Sequence, residues 1–284
     1  MIGWHQGEWV ELPAGAEVAA LHAGPSLFET FAVRGGRVAC LSDHVARLVA
    51  ACPRLGLDPS WLRFASDEAA VWSAPLGGLL GRNRLTDGIV RWLVAPAGDG
   101  RALEWLTVRA LPATPSAVDL YQLATRRDAA EWQPRPKSGP WRNSSEAWRE
   151  LRGLADRPDA EGVQFDARGC LSEGPRSGFA WWDGDCWNFP AAETGRLPGT
   201  AQAQFRAVLA AAGRPTRDVS WPGFPLAARS CVVLRSTFDG GAVPARSCHA
   251  DGKLVWRPSG DQSEAARALA GLAAWRAQRS VSLA

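Results

Sequence analysis

The sequence predicts a chain of two domains that mix helices and strands, α+β or α/β in class. Three observations predict it. The 284 residues exceed a typical small single domain and fit two modest ones. Short apolar runs bounded by turn residues recur beside stretches with helical spacing. Finally, Leu111-Pro112-Ala113-Thr114-Pro115-Ser116 breaks both patterns, because two prolines in a polar stretch end helix and strand alike. The expected division is 1–114, an N-terminal α/β domain, and 115–284, a C-terminal domain.

Within the first part, Trp9–Leu12 and Leu27–Val33 read as strands. Arg34-Gly35-Gly36-Arg37 is a hairpin turn, and Val38–Leu41 is the returning strand. Ser42-Asp43 reads as the cap of a helix that carries Val45, Leu48, Val49 and Cys52 on one face and stops near Gly56. A second helical stretch, 66–80, is expected to be interrupted at Pro75. Two strands follow, 88–94 and 103–110, joined by a turn at 96–100.

The second part opens with a strand at 118–124. A helix starts at Asn143, where Asn143 and Glu146 have the spacing of a capping box, with Trp148, Leu151 and Leu154 on one side. Residues 162–166 and 169–173 read as a hairpin, and Trp181, Trp182 and Trp187 as hairpin packing around Asp183-Gly184-Asp185. Leu197-Pro198-Gly199-Thr200 leads into a helix at 201–212, closed by Gly213 and Pro215. Short strands are expected at 230–234 and 253–256, and a terminal helix at roughly 262–278.

Composition removes several classes of function. With 46% hydrophobic and 21% charged residues the chain is globular, not disordered. A net charge of +3, without a basic run, does not suit a nucleic-acid binder. No segment has the apolar length that spans a bilayer, and the first residues have neither the basic nor the apolar part of a signal peptide. The six cysteines form no CxxC pair and the four histidines show no metal-ligand spacing. The expectation is a cytoplasmic, metal-free protein with buried thiols.

Positive charge comes almost wholly from arginine: of 32 basic residues only Lys137 and Lys253 are lysines. Lys253 follows Asp251-Gly252 in an evident turn. Arginine stays protonated and cannot form a Schiff base, whereas a lysine amine can once burial or a neighbouring cation lowers its pKa. Lys137, in Pro136-Lys137-Ser138, is therefore a candidate for chemistry. Trp141 is close enough in sequence to wall a pocket beside it, or to be plain core.

Four features then follow in order. Leu27-Phe28-Glu29-Thr30 precedes His44-Val45-Ala46-Arg47-Leu48; Lys137 comes next; Leu171-Ser172-Glu173-Gly174 follows, with Ser177-Gly178-Phe179 behind it; Leu197-Pro198-Gly199-Thr200 opens a helix. This order resembles the class IV aminotransferases, the fold-type IV pyridoxal-phosphate enzymes. That family includes branched-chain and D-amino-acid aminotransferases and aminodeoxychorismate lyases. The likeness runs from roughly Gly24 to Trp256.

The resemblance implies pyridoxal 5′-phosphate as cofactor, in a cleft between two domains, and a homodimer. Lys137 matches the lysine that holds the cofactor as a Schiff base and moves the substrate's α proton. Glu173 matches the carboxylate that keeps the pyridine nitrogen protonated, so that the ring accepts electrons. Arg47 matches the arginine that grips the phosphate. Thr200 and Ala201 match the helix start that offers it free amides, and Ser236 and Thr237 match a looser phosphate contact.

Departures from the family pattern accompany these matches. Gly178 replaces an asparagine, Gln202 an arginine, and His22-Ala23-Gly24-Pro25-Ser26 compresses the loop before the first motif. Trp141-Arg142 occupies the stretch where many members carry a tyrosine; the one tyrosine here is Tyr121. Three functions stay open. An aminotransferase would work on an amino acid and a 2-oxo acid, with Arg91, Arg101 and Arg142 as candidates for the substrate carboxylate. An aminodeoxychorismate lyase would release pyruvate on the way to 4-aminobenzoate. A non-catalytic relative would keep only the fold.

Overall fold

The structure is a computed structural model that describes residues 1–13, 24–97, 101–128, 135–139 and 142–283. By contacts the chain divides into two units. The first comprises Met1–Ala113, Pro136–Trp141 and Ala277–Ala284; the second comprises Thr114–Arg135 and Arg142–Arg276. The chain changes unit near residue 114, yet Lys137 belongs to the first unit, whereas a single cut at 114/115 assigns it to the C-terminal part.

The first unit is built on one antiparallel sheet. Its strands are β1 (Ile2–His5), β2 (Glu8–Glu11), β3 (Ser26–Arg34), β4 (Arg37–Ala39), β5 (Gly88–Pro96) and β6 (Ala102–Ala110). Its helices are α1 (Leu41–Ala51) and α2 (Ala69–Arg82). The β3–β4 turn is the expected one: Arg34 pairs with Arg37, and Gly35 and Gly36 both take positive φ. Two left-handed residues match the twist of a tight hairpin, which is why glycines stand there.

The longest register joins β3 to β5, from Leu27↔Val94 to Val33↔Gly88. Odd residues of β3 (Leu27, Phe31, Val33) meet even residues of β5 (Val90, Trp92, Val94) in a core closed by Leu48 of α1 and Trp72, Leu76 and Leu79 of α2. On the other face Phe28 and Leu93 form a small separate cluster with Trp105. That alternation follows from the two-residue period of a strand.

Two helix expectations are corrected. Helix α1 starts at Leu41, and its cap is Cys40 in a left-handed conformation without a side-chain bond, so Asp43 lies in the first turn instead. Helix α2 runs through Pro75 and starts at Ala69. Proline removes one helix bond at a cost of about 3 kcal/mol. Burial of Trp72, Pro75, Leu76 and Leu79 on one stripe offsets that cost.

The second unit holds a mixed sheet of β7 (Val118–Gln122), β9 (Ala160–Val163), β10 (Gly178–Trp182), β11 (Trp187–Pro190), β12 (Thr216–Val219), β13 (Ser230–Leu234), β14 (Ala242–Ala250) and β15 (Lys253–Trp256). The short β8 (Ser138–Gly139) and the terminal β16 (Ser280–Ser282) join the first sheet, beside β3 and β4. Parallel pairs β7–β9 and β7–β14 need long crossovers. The helices are α3 (Arg142–Leu154), α4 (Thr200–Ala211) and α5 (Ser263–Gln278).

Trp182 pairs directly with Trp187 across the β10–β11 turn, their rings 5.8 Å apart. Phe205 and Leu209 of α4 share a cluster with Ala268 and Leu272 of α5. The capping box at Asn143 does not form. Asn143 Nδ2 donates to the Arg126 carbonyl, and Glu146 pairs with Arg142 at 2.9 Å. No helix among the described residues is long and apolar enough to cross a membrane. The expectations for Trp141, for residues 98–100 of the 96–100 turn and for His22-Ala23 lie outside the described residues.

Candidate active site

In the first unit, two successive residues of β3 hold two of the predicted groups. Lys137 is fixed through its backbone, because Phe28 N–H donates to the Lys137 carbonyl at 3.0 Å and Ser138 pairs with Leu27. Its Nζ stands 4.6 Å from the centre of the Phe28 ring, and the Arg91 guanidinium lies 5.2 Å from the same ring. A ring face attracts a cation, so Phe28 orients both.

The next residue, Glu29, is fully buried on the α1 face. Its Oε1 accepts from Arg47 Nε at 2.6 Å and its Oε2 from Arg47 Nη2 at 2.7 Å. His44 Nδ1 lies 2.7 Å from Oε2. The spacing of His44 and Arg47 on α1 puts both on one side of the helix, so one carboxylate collects both. Burial raises the Glu29 pKa, but Arg47 and His44 outweigh it and bring it to about 2. Arg47 thus sits in a fixed, bidentate pose. Strand neighbours face opposite ways, so Phe28 and Glu29 send their side chains to opposite faces of β3.

The second unit holds the other groups. Glu173, only 6% exposed, follows the pairing of Gln164 with Ser172 and Glu173 (Gln164 N–H to the Glu173 carbonyl, 2.9 Å). Its Oε1 meets Arg127 Nη2 in a close pair and Arg135 Nη1 at 3.6 Å, while its Oε2 accepts the Leu197 N–H at 2.9 Å. Arg127 is locked by Asn143 Oδ1 at 2.9 Å and Ser144 Oγ at 3.0 Å. Burial, and after it the neighbouring Arg127 charge, pull the Arg135 pKa down to about 10.

The sequence reading missed both arginines at Glu173. The available signal was Arg126-Arg127 followed by Arg135 just ahead of the lysine.

Leu197 also ties Glu173 to the segment that opens α4. Gly199 caps that helix in an extended conformation with no side-chain bond, so the first-turn amides keep their donor capacity. Thr200 and Ala201 are buried there. Gln202, where the family pattern has arginine, accepts from Arg196 Nη1 at 3.0 Å. Its Nε2 is buried with no partner among the described residues. A free amide donor beside open helix amides and a positive dipole end suits an oxyanion.

Thr237 is buried in the loop after β13, where Arg276 Nη2 holds the Ser236 carbonyl at 2.9 Å. These residues fit a phosphate-bearing pyridine cofactor: a buried carboxylate, an uncapped helix start and an amide lacking an acceptor. Of the carboxylate candidates, Arg142 is 85% exposed and paired with Glu146, whereas Arg91 shares Phe28 with Lys137.

Comparison with curated protein sequences gives no match. Among solved structures, a branched-chain aminotransferase from Thermoproteus uzoniensis, determined with norvaline, is similar at a TM-score of 0.74 and 19% identity, over 100% of this chain and 99% of that one. The Escherichia coli branched-chain amino acid aminotransferase is similar at 0.70 and 18%, over 95% and 94%. The 4-amino-4-deoxychorismate lyase of Pseudomonas aeruginosa is similar at 0.68 and 22%, over 93% and 96%. The shared architecture is the two-domain, fold-type IV arrangement with two sheets. The family described as Amino-transferase class IV matches residues 26–239, three quarters of the chain. The chain belongs to the class IV aminotransferase family.

Proposed function

We propose that this chain is a pyridoxal-phosphate-dependent aminotransferase acting on an amino acid and a 2-oxo acid. The observation that carries the reading is the Glu173 carboxylate, buried between Arg127 and Arg135 and bonded to the amide that leads into the uncapped start of α4. A carboxylate so placed is the kind of group that a protonated pyridine nitrogen needs as a partner. The bound cofactor would supply an aldehyde to join an amine and an electron-accepting ring.

Each residue then has a task. Lys137 Nζ would hold the aldehyde and, when released, carry the proton at the α carbon of the substrate. The first-turn amides of Thr200 and Ala201, with Thr237 and Gln202 Nε2, would bind phosphate oxygens. Arg47, aligned by Glu29, would add a charged contact. Arg91 would receive the substrate carboxylate, since it shares the Phe28 ring with Lys137. The family resemblance further implies a homodimer.

The test is the absorbance spectrum of the purified protein with added pyridoxal phosphate, titrated with L- and D-amino acids. A visible band that is absent in Lys137→Ala and is bleached by one donor supports the proposal and names the donor class. A band that no amino acid bleaches favours the second reading, the aminodeoxychorismate lyase. That reading draws on the compact length and on the absence of a tyrosine shortly after Lys137, where Trp141-Arg142 stands. Consumption of aminodeoxychorismate without a 2-oxo acid would establish it. No band at all, even with excess cofactor, refutes both and leaves a relative that keeps the fold alone.

A further inference from the structure

An open cleft of about 470 Å³ lies in the second unit, against β7 and β14. Leu120 and Cys248 are buried in the core behind these strands. Strand alternation therefore turns Asp119 and Tyr121 of β7, and Ser247 and His249 of β14, to the opposite face. Arg157, Arg246 and Arg257 complete the lining. None of these residues belongs to the candidate active site.

The carboxylate that lines the cleft, Asp119, is used up as an acceptor. Asp119 Oδ1 takes Arg246 Nε at 3.0 Å and Ser247 Oγ, and Oδ2 takes Arg246 Nη2 at 2.9 Å and Arg157 Nη2. Those four bonds fill the lone-pair sites of a carboxylate. Asp159 takes Arg246 Nη2 and Arg157 Nη1. Ser247 has one proton and gives it to Asp119, so the contact with His249 Nε2, at 3.0 Å, makes the imidazole the donor.

Donors, by contrast, are left over. Tyr121 Oη accepts from Arg157 Nη2 at 3.0 Å, and its own proton has no acceptor among the described residues. Arg246 Nη1 and the whole guanidinium of Arg257 donate to none of the described residues, although Arg257 lines the cleft. Three guanidinium groups face two carboxylates. The Tyr121 and His249 rings are stacked, with centres 5.0 Å apart and planes at 14°, and form a flat wall.

A surplus of charged donors in a concave site whose lining carboxylate is saturated calls for an oxyanion. We propose that this cleft binds the oxyanion of a small molecule, a phosphate or a carboxylate, with Arg257, Arg246 Nη1 and the Tyr121 hydroxyl as its donors.

The chain's single tyrosine makes the test direct, because ¹³C-labelled tyrosine gives one side-chain signal, that of Tyr121. The full chain, saturated with pyridoxal phosphate, is titrated with inorganic phosphate, with citrate, and with sodium chloride at matched ionic strength. The proposal expects a saturable shift with at least one oxyanion and none with chloride. Phosphate alone would identify a phosphate-bearing ligand, citrate alone a carboxylate, and both the oxyanion itself. Arg257 is exposed, and Arg257→Ala is expected to fold and to weaken the affinity about tenfold, the size of a lost charged hydrogen bond. Absence of any shift beyond the chloride control overturns the proposal, and so does an affinity unchanged in Arg257→Ala.

Discussion

Replacing Glu29 by glutamine removes the carboxylate that holds both His44 and Arg47 while keeping the size of the side chain. The pKa of Glu29 falls from 4.5 to about 2 on folding, and about 1.4 kcal/mol per pKa unit makes this roughly 3 kcal/mol of stability at neutral pH. The sign follows from the direction of the shift. A carboxyl with a depressed folded-state pKa contributes fully above its unfolded value, and the contribution fades as pH drops through the folded value. The deficit of Glu29→Gln is therefore about 3 kcal/mol at pH 7 and shrinks between pH 4.5 and pH 2. Denaturant unfolding followed by tryptophan emission reads it, since Trp4, Trp72 and Trp92 lie in the core of the same unit. A deficit under about 1 kcal/mol at pH 7, the range of an exposed pair, would refute the argument. So would a deficit that stays constant down to pH 2.5.

Two further predictions concern packing and thiols. An added Cβ at Gly174 would meet the Gly162 carbonyl at 2.8 Å as well as Ser177 Oγ, and backbone cannot step aside. Gly174→Ala is expected to lower stability by about 1–3 kcal/mol and, by displacing the turn after Glu173, to weaken cofactor binding; an unchanged melting temperature would show that the turn can yield. Cys40, Cys52, Cys170, Cys231 and Cys248 are buried and Cys186 is partly exposed. Burial pushes Cys248 up to about 12 and Cys52 to about 11, so a thiol reagent at pH 8 should modify Cys186 first and the others only on unfolding; mass mapping that finds Cys52 or Cys248 modified early would count against the buried placement.

How much was legible in the chain varies with the range of the interaction. The Arg34–Arg37 turn, the Trp181–Trp187 hairpin and the strands around Leu27–Val33 and Ser230–Leu234 rest on local rules, glycine at positive φ and apolar runs between turns, and the structure repeats them. The sequence pattern does not show β1, β8, β12, β14 or β16 as strands. β14 carries Pro244, Arg246 and His249 and shows no clean alternation, and its pairing with β13 and β7 supplies the reason for it to be a strand.

At the candidate site the sequence by itself determined the residue types and their order: one lysine outside a turn, Glu173 before a glycine, the Leu197–Thr200 helix start, and Arg47 three residues after His44. Those are short-range patterns, and each is visible in a few consecutive residues. Tertiary structure alone decided which groups those residues meet. Glu29 reaches across 15 and 18 residues to His44 and Arg47, Arg127 reaches across 46 to Glu173, and Phe28 lies beneath a lysine 109 positions later. Such pairings cost loop-closure entropy that only the packed sheet and core repay. They depend on how the whole chain folds back, which no local stretch of sequence encodes.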